Sequence, residues 1–96
     1  MLKNNEEPVK IIGLLASKFR LMYQTSELSR MGYSQQDISD TLNTHIYPVK
    51  LAISAGLKYK PSILLKYIEN IADLDLNIKS GIIDAGLGLE LFILNV

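Results

Sequence analysis

Four interruptions, at Gly32, Asn43, Pro61 and Gly81, divide this chain into five segments in which apolar residues recur at helical spacing. Glycine adopts the left-handed turn after a helix without strain, so Gly32 and Gly81 read as stops. Proline loses no hydrogen bond in a first turn, so Pro61 reads as a start. In the first segment, about Glu7 to Met31, Ile12, Leu15, Phe19 and Met22 define one face, while Leu14, Leu21 and Leu28 recur every seven residues on another. Asn5 is its expected cap, Glu6 and Glu7 suit the positive end of the helix dipole, and Pro8 fits the first turn. A helix with two apolar stripes is expected to be held from two sides.

The second segment opens on Ser34 with Asp37 three residues on, a variant of the capping box, and turns Ile38 and Leu42 inward. Asn43 can close it. The third starts near Thr44 or His45 and runs to about Tyr59, with Ile46, Val49, Ile53 and Leu57 at core spacing. Pro48 has no N–H to bond back to Thr44, which favours His45 as the boundary or an irregular first turn. The fourth runs from Pro61 to about Lys79, with Leu64, Ile68, Ile71, Asp75 and Ile78 on one line and a favourable Asp75–Lys79 pair. The last is capped by Asp84 and weakened by Gly86 and Gly88, each costing about 1 kcal/mol relative to alanine. From Leu87 to Leu94 its single charge is Glu90. The stripe expected inward is Leu87, Leu91 and Leu94, which leaves Leu89, Phe92 and Ile93 for solvent or a partner; the other arrangement buries both stripes in an internal groove. The pattern predicts an all-α fold, a compact bundle of about five helices with a helix-turn-helix-like segment at 34–59.

Composition agrees. Of 96 residues 48% are hydrophobic and 21% charged, which excludes a disordered tail. With three valines and three threonines the apolar content is mostly isoleucine and leucine, which favours helices over strands. The chain has no cysteine and one histidine, His45, which excludes disulfide scaffolds, thiolate metal sites and multi-histidine zinc sites. No run reaches the roughly 18 apolar residues of a membrane span, and the first residues lack a signal peptide's apolar stretch, so a cytoplasmic location is expected. The net charge of zero divides unevenly. Residues 1–60 carry eight basic against five acidic residues, and residues 61–96 carry two against five. A mildly basic face near nucleic acid is one reading, and an ordinary solvated surface the other.

The chemistry of a catalyst is missing. Gly81 to Gly88 has the glycine spacing of a phosphate-binding loop without its lysine and serine, and no strand precedes it. Asp73 and Asp75 point in different directions on a helix; Glu69 and Asp73 share a face but find no third ligand. His45 sits at a helix start, and no serine belongs to a recognisable triad. No catalytic, cofactor-binding or metal-binding residue is assigned, and no cofactor is expected. Residues 34–59 look like a helix-turn-helix, whose second helix would turn Tyr47, Pro48, Lys50, Leu51 and Ser54 outward. Base reading usually needs Arg, Asn or Gln near the start of that helix, and both arginines, Arg20 and Arg30, lie in the first segment.

The order of five blocks carries a family resemblance. They are Leu14 to Gln24, Gly32 to Ile38, His45 with Val49 and Lys50, Ala72 to Gly81, and Leu89 to Leu94. The series resembles the C-terminal domain of the delta subunit of bacterial DNA polymerase III, a clamp-loader component. Two places depart from the family pattern: at the turn Asn43 and Ile46 replace a glycine and a proline, with the proline displaced to Pro48, and the last helix has Ala85, Gly86 and Gly88 in place of an initial proline and alanines.

The resemblance implies that residues 1–96 form a single helical collar domain, a C-terminal fragment of a longer chain in the bacterial cytoplasm. It implies assembly with other clamp-loader subunits through the collar, in support of sliding-clamp loading during DNA replication. The clamp would be engaged through regions absent from this chain, and ATP hydrolysed by partner subunits. Primed DNA would be met weakly or indirectly. Candidate residues for contact with other subunits are Leu89, Phe92 and Ile93, with Leu14, Leu21 and Leu28 on the first helix; candidates for weak DNA proximity are Lys50, Lys58 and Lys60. The alternative reading is a small helix-turn-helix DNA-binding regulator.

Overall fold

A computed structural model describes residues 6–95; the expected cap at Asn5 lies outside them. The described residues form five helices and no strand: α1 (Glu6–Arg30), α2 (Gln35–Leu42), α3 (Ile46–Gly56), α4 (Pro61–Lys79) and α5 (Ala85–Leu94). The stop signals act as expected. Gly32 and Gly81 take positive φ after α1 and α4, and Asn43 takes the left-handed conformation at the end of α2. Ser34 Oγ accepts from Asp37 N at 3.1 Å, and Ser34 N donates to Asp37 Oδ2 at 3.4 Å, which completes the capping box. Asp84 caps α5 by accepting from Leu87 N at 3.1 Å. On α4, Asp75 and Lys79 pair at 2.8 Å.

Helix α1 is the spine. It packs along α4 on one side and α3 on the other, with α2 and α5 also against it. Ile12, Phe19 and Met22 are buried, joined by Leu64, Ile71 and Leu74 from α4, Ala52 from α3 and Leu89 from α5. Phe19, Tyr67 and Phe92 form an aromatic cluster with centroids 5.3–6.3 Å apart, extended by Tyr59. Such tilted and edge-on pairs add about 0.5–1.5 kcal/mol each beyond the area they bury. Thr25 is fully buried and satisfied, its hydroxyl donating to Met22 O at 3.1 Å.

Two local expectations are corrected. Helix α3 begins after His45, as Pro48 requires, but ends at Gly56 and not near Tyr59. Lys58 N and Tyr59 N bond back only three residues, to Ala55 O and Gly56 O, so the chain leaves in a tight turn. Leu57 lies past that end and is 82% exposed; Val49 is buried as expected, and Ala52 and Gly56 are the other buried positions. Gly56 is there for closeness, since a Cβ would stand 2.9 Å from Ser26 Oγ.

The second correction turns α5 over. Ala85, Gly88 and Leu89 are buried and Phe92 packs on the core, while Leu87, Leu91 and Leu94 are exposed. A Cβ on Gly88 would stand 2.5 Å from Leu74 Cδ1. Two small residues three apart let α5 approach α4 closely, and Leu89 and Phe92 then fill the space beside them. The expected leucine stripe is therefore the outer one.

Candidate functional site

The polar candidates of the sequence stand apart on the described residues. Among the described residues no three His, Asp or Glu side chains gather to hold a metal ion. Glu69 and Asp73 are exposed on α4, and His45 precedes α3 exposed and without a side-chain capping bond. The glycine-spaced stretch from Gly81 to Gly88 resolves into a turn, a capped helix start and a packing contact.

The helix-turn-helix-like pair does form. Ser39 Oγ donates to Thr44 O, and Thr44 Oγ1 donates to Leu42 O at 3.1 Å, tying the turn between α2 and α3. Fully buried Ile38 and Val49 belong to this pair. Its outer face carries Tyr47, Lys50, Leu51 and Ser54, all exposed, and no arginine. Lys58 and Lys60 follow in the exposed turn before α4. A reading helix that presents tyrosine and leucine suits apolar contact better than base edges.

Apolar surface is what the fold leaves over. On α5, Leu87, Leu91 and Leu94 are exposed, with Glu90 among them and Ile93 beside them, and Leu91 also lines the space between α4 and α5. Fully burying one such side chain is worth about 1.5–3 kcal/mol, so a row of them held in water marks a surface meant to be covered. A second apolar region lies between α1 and α3, a groove of about 470 Å³ lined by Lys18, Leu21, Met22, Tyr47, Pro48, Leu51, Ala52 and Ala55. Leu14, one turn before Lys18 on α1, is also exposed. The space between α4 and α5, about 510 Å³, is more polar, with Lys66, Asn70, Asp73, Asn77 and Asn95 on its walls.

The six candidate contact residues therefore separate. Leu89 and Phe92 belong to the core, a correction that follows from the close approach at Gly88. Ile93 and Leu14 are exposed; Leu21 is half-buried at the groove and Leu28 half-buried nearer the end of α1. Sequence reasoning misses Leu87, Leu91 and Leu94 as surface residues, and reaches Tyr47 and Leu51 only as readers of DNA. The signal for α5 lies in Ala85 and Gly88, whose spacing marks the face that touches a neighbour.

Comparison with known proteins bears on the family and the fold. The family described as DNA polymerase III delta subunit, C-terminal domain, matches residues 1–96. The DNA polymerase III subunit delta of Bacillus subtilis (strain 168) is 40% identical over 96 residues, all of this chain and 28% of that protein. The solved Bacillus subtilis DNA clamp loader delta protein (YqeN) superimposes with a TM-score of 0.89 at 38% identity, over 92% of this chain and 26% of that one. The chain thus spans between a quarter and a third of the length of these relatives.

Proposed function

From the premise that this chain belongs to the family of C-terminal domains of the DNA polymerase III delta subunit, we propose that it is the collar module that holds a clamp-loader subunit among its partners. In this reading residues 1–96 are one helical domain at the C-terminal end of a longer subunit. It carries no turnover of its own and supports loading of the sliding clamp during replication by fixing the subunit in the loader. The cytoplasm is where such a machine works. The observation that carries the reading is the exposed row of Leu87, Leu91 and Leu94 on the last helix. Apolar side chains aligned on one helix face serve recognition of another protein surface, where burial supplies the driving force.

The experiment compares the full-length subunit with one lacking this domain, in pull-downs of the other loader subunits and of the sliding clamp. Loss of the loader subunits with retention of the clamp is the expected result. Undiminished assembly without the domain would overturn the reading. DNA enters at most through non-specific contact of Lys50, Lys58 and Lys60 with phosphates. Such binding is indifferent to sequence and falls steeply with added salt; selective binding of one duplex at physiological salt would instead favour the helix-turn-helix regulator.

A further inference from the structure

We propose that the groove between α1 and α3 docks a helix of a neighbouring loader subunit, one whose apolar face carries an acidic residue. This neighbour is not the one that covers α5. The inference rests on the reading of this domain as an assembly module and gives it a second docking face. The groove, about 470 Å³, is walled by Leu21 from α1 and by Tyr47, Pro48 and Leu51 from α3. Tyr47 is 65% exposed and Leu51 53%, and exposed Leu14 extends the apolar surface along α1. Lys18 is the one charged side chain on the groove wall. From Pro8 to Ser26 of α1, and along all of α3, the charged residues are Lys10, Lys18, Arg20 and Lys50, every one basic. Among the described residues Lys18 forms no ion pair. A partner that fills this groove therefore meets unopposed positive charge, and a carboxylate on its apolar face complements it.

The lining favours a protein over a nucleic acid. Phosphates are met by several cations spread over an exposed face, whereas this groove is apolar with a single ammonium on its wall. A trough between two helices also has the shape into which a third helix lays its apolar ridge. Helices α3 and α5 both pack on α1 and do not approach each other. The groove and the row of Leu87, Leu91 and Leu94 are therefore separate surfaces, and one partner helix cannot cover both. Their charges differ as well. Glu90 is the one charged residue of α5, so that face suits a basic neighbour and the groove an acidic one. A neighbour matched to one face meets a like charge at the other, which fixes the subunit that sits on each side.

The test measures binding of each of the other loader subunits, taken separately, to the full-length subunit as wild type, Lys18→Glu, Leu51→Gln and Leu91→Gln. Lys18→Glu and Leu51→Gln should weaken binding of one and the same loader subunit at least about tenfold. Leu91→Gln should weaken a different subunit and leave the first unchanged. Lys18→Met keeps the stem without the charge and should lose less than Lys18→Glu, whose loss should shrink in added salt. Circular dichroism on each variant establishes folding, and the two groove variants stand in for each other should one misfold. Unchanged binding of every subunit by the folded groove variants would overturn the proposal, as would loss of the same subunit from the groove and α5 variants alike. A loss confined to duplex DNA binding, or to self-association in sedimentation velocity, would overturn it too. The subunit lacking this domain separates the two readings. Loader subunits lost on deletion but kept by the groove variants remove this inference alone, and loader subunits bound equally without the domain remove the collar reading itself.

Discussion

Helices α4 and α5 lie against each other and against the same spine, yet they fill their buried sides differently. In α4 the large apolar side chains Leu64, Ile71 and Leu74 are buried, and Lys66, Glu69, Asn70 and Asp73 face water. In α5 two of the buried positions are Ala85 and Gly88, while Leu87, Leu91 and Leu94 face outward. The first arrangement buries large apolar residues on one side, although Leu65 and Leu76 are exposed among the polar residues of the other. The second needs cover on both sides, and the bundle supplies only one. Stability should therefore be concentrated in the inner faces of both helices, and the outer face of α5 should matter to association and little to folding.

The largest test of that division removes a core leucine and an outer one. Leu64 is fully buried, so Leu64→Ala should destabilise the domain by about 2–5 kcal/mol in urea unfolding. Leu94 is 77% exposed, and Leu94→Ala should stay within about 0.5 kcal/mol of wild type. Equal losses would mean that α5 has no outer face. Gly88→Ala comes next. Alanine favours a helix by about 1 kcal/mol over glycine, but its Cβ would stand 2.5 Å from Leu74 Cδ1, and Leu74 is itself packed. Overpacking costs about 1–3 kcal/mol, so a net loss is expected. A gain would show that Leu74 moves aside freely and that α5 is not held close.

How much of this is legible in the sequence depends on whether a local rule or a packing choice sets the outcome. The five helices, the cap at Ser34, the left-handed Asn43, the proline start of α4 and the Asp75–Lys79 pair all follow from interactions within a few residues. The inner face of α4 is legible in part: Leu64 and Ile71 on the expected line are buried, while Asp75 on that line is half-exposed and its neighbour Leu74 is buried instead. The face of α5 is not, since nearly every position is apolar and polarity carries no direction; only the small residues do, and in sequence they read as a cost in helix propensity. Leu57 fails for a related reason. It has core spacing from Ile53, but α3 ends one residue earlier, at the glycine that lets α3 reach α1. The groove between α1 and α3 joins residues about 30 apart in sequence, and no single-helix pattern reveals it.

Smaller effects separate the two helices at their ends. Helix α5 starts from a side-chain cap at Asp84, whereas α4 starts after Lys60 without one and relies on Pro61. Asp84→Ala should cost about 1 kcal/mol of stability by thermal or urea unfolding, as loss of an N-cap typically does. No change would mean that packing at Ala85 and Leu89 alone fixes the start of α5.

The smallest effect lies on the solvent side of α4. Asp75 and Lys79 are one turn apart, the acid nearer the N-terminus, which is the favourable order for a helical pair. The lysine is 72% exposed and the aspartate 43%, so water and salt screen most of their attraction. Lys79 also stands in the last turn, where a positive charge suits the helix dipole. Lys79→Gln keeps the stem and removes the charge, and should lower stability by about 0.3–0.5 kcal/mol at low salt. That difference should shrink towards zero in concentrated salt, because both terms are electrostatic and solvated. Glu90→Gln provides the contrast on α5, where no partner of opposite charge is within the helix. It should leave unfolding unchanged at any salt, and a salt-dependent loss there would reveal a partner for Glu90 within its own chain and break the separation between the helix that faces water and the helix that faces a neighbour.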